Sequence, residues 1–175
     1  MEMLAKLRVL NQDGVTTAGN ASGVNDGAVA MFIGSRAMGE KHGIKPVAKI
    51  LSSASAGVPP RIMGIGPVPA SQKALERAGL SIDDMDVIEI NEAFAAVVIH
   101  AMRVLEIEED VVNVNGGAIA MGHPLGCTGA RMVTTLVHEM RRRNAKHGLA
   151  SLCVGVGQGL ATLFERDCAS RCGIS

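Results

Sequence analysis

Val112-Asn113-Val114-Asn115-Gly116-Gly117-Ala118-Ile119-Ala120-Met121-Gly122-His123-Pro124-Leu125-Gly126 sets one histidine between glycine-rich turns and an amphipathic helix. Val111 to Val114 read as a short buried strand. Gly116, Gly117 and Gly122 then allow unusual backbone angles, and Pro124 cannot extend a strand ladder. Beyond it Gly129, Met132, Val133, Leu136, Val137 and Met140 recur at helical spacing up to Arg141-Arg142-Arg143, whose charges suit a helix C-terminus. The pattern is strand, turn, helix, with His123 in the connection, where α/β folds place reactive groups. Taken alone, such a histidine is as readily a satisfied structural residue as a base.

Two further segments bear on that choice. Leu149 to Val154 form an apolar run containing Cys153, followed by Gly155-Val156-Gly157-Gln158-Gly159 and a second apolar run, Leu160 to Phe164. This reads as strand, glycine turn, strand. Glycines beside a thiol let backbone N–H groups approach a reacting carbonyl, and a thiol near a neutral imidazole exchanges protons around neutral pH. Glu89-Ile90-Asn91-Glu92-Ala93-Phe94-Ala95-Ala96 follows an apolar alternation at Met85, Val87 and Ile90. It precedes a helical pattern through Val97, Val98, Ala101, Met102 and Leu105, which puts Asn91 at a strand-to-helix junction. Asn91 fits an N-cap there, and its amide equally fits the orienting of a water or an oxyanion donor.

These three motifs, together with Gly19-Asn20-Ala21-Ser22-Gly23-Val24-Asn25-Asp26-Gly27-Ala28, resemble the C-terminal portion of the thiolases in order and spacing, from about Leu4 to Arg166. The resemblance implies an acyl-CoA acyltransferase that cleaves 3-oxoacyl-CoA with CoA or condenses two acyl-CoA molecules. It assigns His123 as the base and Cys153 as the proton-shuttling thiol. It makes Asn91, with His123, one oxyanion hole, and the Gly155 N–H part of another. Ser22, with Ala18 close by, becomes a contact of the pantetheine arm. No covalently bound cofactor is implied; coenzyme A or acyl-CoA is the substrate. Such chemistry needs these residue types, because enolate charge developing beside a thioester must meet preorganised donors in a dry site.

In that family the acyl-accepting cysteine lies upstream of the Gly-Asn-Ala-Ser-Gly motif. The first cysteine here, Cys127 in Gly126-Cys127-Thr128-Gly129, reads as a packed small residue instead. The expectation is therefore that this polypeptide by itself turns over little substrate, for want of a covalent acceptor. Its partners would be acyl-CoA and either a homo-oligomer or the missing N-terminal half. Two other readings compete. One is a ketoacyl-synthase-like condensing enzyme, against which Asn91 stands where that class has a histidine. The other is a non-catalytic acyl-CoA-binding or interaction remnant.

The expected architecture is α/β, a thiolase-like layered fold with a mixed β-sheet covered by helices. Residues 1–45 read as the end of the N-terminal half, with Val24 to Met38 a small-residue helix; residues 46–166 read as the C-terminal domain. Residues 167–175 are expected to form a disordered tail. Within the domain, Val47 to Leu51 read as a strand, Ile62 to Pro69 as a loop, Ala70 to Ala78 as a helix closed by Gly79, and 86–90 and 111–114 as strands each followed by a helix. At 175 residues the chain can bury one core. The zero net charge and absence of Trp and Tyr argue against nucleic acid. No 18-residue uncharged apolar stretch or signal-peptide pattern appears, which makes a cytoplasmic protein without a membrane span the default. Four cysteines at 127, 153, 168 and 172 lack the paired spacing of a metal site, so no metal is expected.

Overall fold

The architecture is that of a computed structural model, which describes residues 2–167. Four strands form one mixed sheet in the order β1-β4-β3-β2: β1 Ala48–Gly57, β2 Val87–Ile90, β3 His147–Val154 and β4 Gln158–Arg166. β1 and β3 flank β4 antiparallel, and β2 runs parallel to β3, so the sheet is the expected mixed one. Six α-helices accompany it: α1 Glu2–Ala5, α2 Arg36–Lys41, α3 Pro67–Ala78, α4 Ala95–Leu105, α5 Ala118–Met121 and α6 Thr128–Arg143.

Alternation in β2 and β3 creates two apolar faces. Ile88, Ile90, Leu149 and Cys153 pack with Val68, Ala74 and Leu75 of α3 and Val97 and Ala101 of α4. Val87 and Ala150 point the other way, onto Leu136 and Met140 of α6. Both faces of the central strands are covered, so β2 is apolar at three of its four positions and buried at all four. α3 stops at Gly79, whose φ of 66° takes the left-handed cap, as the sequence predicts.

Four local expectations are corrected. Val24 to Met38 do not form a helix: only Arg36–Lys41 is helical, and the preceding residues are extended. Residues 111–114 do not form a strand either. A 3-10 turn occupies Glu109–Val111 and only Val112 bridges Ile88. The reason is Asn113, which adopts a φ of 45°. Its side-chain amide accepts from the Ile90 N–H and donates to the Ile90 carbonyl, both at 2.9 Å, so a side chain occupies the place a strand backbone would take. α3 begins at Pro67, inside the expected loop, since a proline in the first turn needs no N–H partner. β1 runs six residues past Leu51, through a serine- and alanine-rich stretch whose Ser52 hydroxyl donates to the Ala74 carbonyl at 2.6 Å. Of the expected tail, residues 168–175 lie outside the described residues.

Candidate active site

The site gathers at the C-terminal end of the parallel pair β2 and β3, the edge where open α/β sheets bind ligands. Asn91 is the first residue past β2, fixed by its N–H donating to the Ser151 carbonyl of β3 at 3.0 Å. Its side chain points toward α6, where Nδ2 lies 3.3 Å from His123 Nε2. It does not cap α4, whose N-cap is Phe94 with no side-chain hydrogen bond, so the capping role is not the one Asn91 plays.

His123 is held on its other side. Nδ1 lies 2.7 Å from the hydroxyl of Thr128, a fully buried residue at the start of α6. That hydroxyl donates to the Pro124 carbonyl at 3.0 Å, so it accepts from the ring. This assigns the His123 proton to Nδ1 and leaves Nε2 as the lone-pair nitrogen facing Asn91. Burial keeps the imidazole below its ordinary pKa, and the nearby Arg131 cation adds to the effect. His123 is thereby a neutral ring at pH 7, the form a base requires.

The loop carrying Ser22 closes over both groups. Ser22 N–H and hydroxyl donate to the Ala93 carbonyl at 3.1 and 3.3 Å, and Ala95 N–H donates to the Asn20 carbonyl at 2.9 Å. Farther along, Val24 bridges His123, and the Asn25 side chain accepts from the His123 N–H at 3.0 Å. Gly122 is required there: its φ is 99°, and a Cβ would come within 2.7 Å of Asn25. Ala18 sits in the exposed turn just before Asn20 and touches none of these groups through a hydrogen bond.

Cys153 ends the buried part of β3, two residues beyond the Ser151 that holds Asn91, on the order of 7 Å along the strand. It approaches the same edge from the opposite face, within the α3–α4 core, and makes no hydrogen bond to Asn91 or His123. Burial pushes its thiol pKa up, so it carries its proton at neutral pH. Gly155 begins the turn joining β3 and β4; it is exposed, and its N–H has no acceptor among the described residues. Asn91 and His123 are thus in contact, Ser22 is joined to their loop, and Cys153 and Gly155 stand at the adjoining strand end.

A model of the C-terminal domain of thiolase matches residues 44–166. The chain belongs to the thiolase family. The 3-oxoadipyl-CoA/3-oxo-5,6-dehydrosuberyl-CoA thiolase of Escherichia coli is 54% identical over 169 residues, which cover 95% of this chain and 42% of that protein. The beta-ketoadipyl-CoA thiolase of Pseudomonas knackmussii is 57% identical and the acetyl-CoA acetyltransferase of Syntrophomonas wolfei 54%, each with 42% of its length covered. Among solved structures, human mitochondrial 3-ketoacyl-CoA thiolase in complex with CoA superposes with a TM-score of 0.92 at 50% identity, over 95% of this chain and 42% of that one. The chain therefore spans less than half the length of the thiolases it matches.

Sequence reasoning missed several residues of this thiolase site. Thr128 lay hidden beside Cys127 at a helix start, although a hydroxyl five residues after a histidine is a readable signal once the intervening turn is known. Glu89 is 1% exposed, and burial pushes its carboxyl up to about 7 against the pull of Arg131, whose guanidinium lies 3.4 Å away. A glutamate inside an apolar strand was visible; that it faces α6 and Arg131 was not.

Proposed function

We propose that this chain supplies the base, the proton-shuttling thiol and two oxyanion sites of a thiolase that cleaves 3-oxoacyl-CoA or condenses acetyl-CoA. The observation that carries the reading is the chain of contacts Asn91–His123–Thr128, which presents an unprotonated Nε2 beside an amide at the end of β2. Asn91 Oδ1 is buried without a hydrogen-bond partner among the described residues, which supports its orienting a water in one oxyanion hole. The uncommitted Gly155 N–H supports the second hole. Ser22 uses its hydroxyl proton on Ala93 and keeps its lone pairs for an amide N–H such as that of pantetheine.

In the reaction, His123 Nε2 takes the proton of an acyl-accepting cysteine contributed by a segment outside this chain. Cys153 moves the proton at the α-carbon, and the two holes hold the thioester oxygens as charge develops. Residues 28–33, Ala-Val-Ala-Met-Phe-Ile, support the partner this requires. They are extended, their backbone groups bond no other described residue, and Phe32 and Ile33 are 96% and 74% exposed. A run apolar on both sides suits a strand inside a sheet covered on both faces, here one completed by the upstream part of a thiolase.

Acetoacetyl-CoA thiolysis tests the reading. The purified chain should show little turnover, and adding the upstream part of a thiolase should restore it in a form that His123→Ala or Cys153→Ala abolishes. Full turnover in the mixture with His123→Ala would overturn the assignment. Relatives named for 3-oxoadipyl-CoA and for acetyl-CoA match at nearly equal identity, so the proposal stops at the 3-oxoacyl-CoA class.

A further inference from the structure

Glu92 follows Asn91 directly, yet its side chain reaches across to the segment that leads into His123. One carboxylate oxygen accepts from the Ile119 N–H at 3.0 Å, in the first turn of α5; the other accepts from Asn113 Nδ2 at 3.2 Å. Asn113 in turn pins both backbone groups of Ile90, the residue before Asn91. The carboxylate lies so close over Gly117 that any Cβ there would overlap it, although the backbone at 117, with φ of −119° and ψ of −164°, would accept a side chain. α5 is only four residues long and ends at Gly122, immediately before the histidine.

We propose that Glu92 is a positioning residue for the base: by holding the first turn of α5 against the Asn91 junction, it sets the separation of the Asn91 amide from the ring of His123. The proposal rests on the reading of His123 as the base, but its geometry is independent of turnover. Two N–H donors converge on the two oxygens, so a carboxylate is required. A glutamine, isosteric but carrying one oxygen and one NH2, would turn a donor toward a donor. A side chain clasped by Asn113 and Ile119 also removes freedom from a loop that otherwise has only Asn25 and Thr128 to hold it.

Nuclear magnetic resonance on the full chain reads this without substrate, so its failure is separable from a failure of the thiolase assay. In the wild type the Ile119 amide should exchange slowly, and the Asn91 side-chain amide protons should show a cross-relaxation peak to the His123 ring. In Glu92→Gln the Ile119 amide should exchange about tenfold faster or more and the Asn91–His123 peak should weaken. The amides of Leu136 and Met140 in α6 should keep their protection. Gly117→Ala, which displaces the carboxylate without touching it chemically, should reproduce both local changes and serves if Glu92→Gln does not fold. The proposal is overturned if the wild-type Ile119 amide is unprotected, if a folded variant retains the peak and the slow exchange, or if protection falls equally throughout α6.

Discussion

Thr128 accepts the Nδ1 proton of His123 at 2.7 Å while giving its own proton to the Pro124 carbonyl. One hydroxyl, itself fully buried, therefore decides which nitrogen of the imidazole is basic. Because Thr128 opens α6 and Asn91 closes β2, the ring is held between two elements of the rigid core and not by its loop alone.

Replacing Thr128 by valine keeps the shape and removes the acceptor. The His123 Nδ1–H then loses its partner inside the protein, and the two neutral tautomers become closer in energy. Nitrogen-15 spectra of histidine-labelled protein should move from one dominant tautomer to a mixture in Thr128→Val and stay unchanged in Thr128→Ser. In the enzyme assembled with the upstream thiolase part, the valine variant should lose roughly 10- to 100-fold in kcat, the range found when a group orienting a functional histidine is removed.

Glu89 makes stability depend on pH. Its carboxyl, ordinarily 4.5, is raised to about 7 by burial, so the folded state binds a proton that the unfolded chain releases. That contribution is fully present below about 4.5 and is lost as pH rises through about 7, where the charge must be carried in the core with Arg131 as its ion-pair partner. Glu89→Gln should match the wild type near pH 4 and exceed it at pH 8.5, by up to roughly 3 kcal/mol. Urea unfolding at the two pH values checks it, and a variant less stable at pH 8.5 would show that the Arg131 pairing outweighs the cost of burial.

How far the sequence carried the fold depended on whether a segment's environment lies in its own neighbours. α6 was legible because Met132, Leu136 and Met140 repeat on one face and that face is buried. The strands around Cys153 were legible because a five-residue glycine-rich stretch separates two apolar runs. Residues 111–114 misled because Val-Val-Asn-Val has strand composition, and nothing local reveals that Asn113 turns left-handed and spends its amide on Ile90. Val24 to Met38 misled for a different reason: small apolar residues fit a helix or a doubly covered strand equally, and what decides between them lies elsewhere in space. The site divides in the same way. Asn91 and His123 stood out as polar residues at element junctions, whereas Thr128, Glu92 and Arg131 become functional only through contacts across 23 to 42 positions or through a turn.

Val156 stands at the tip of the β3–β4 turn with a φ of 66°, a conformation that crowds a β-branched side chain, and it is 83% exposed. Nothing buried compensates for the strain. Val156→Gly should therefore raise stability by about 1 kcal/mol, less whatever the added freedom of the unfolded chain removes. The thermal midpoint reads this directly. A decrease would mean that the valine makes contacts at the hairpin tip worth more than the strain.

Phe32 separates a contact inside this chain from one with a partner. Its ring is 96% exposed, so Phe32→Asp should leave the stability of the isolated polypeptide within about 0.5 kcal/mol of wild type. If residues 28–33 complete a sheet of the upstream thiolase part, the same charge would be placed in an apolar layer, where an unpaired carboxylate costs several kcal/mol. Co-purification of the two parts, with one tagged, should then fall by at least about a hundredfold in affinity, and thiolysis by the mixture should fall with it. Equal recovery of wild type and Phe32→Asp would place the contact on another surface, and the extended conformation of residues 28–33 would need a different cause.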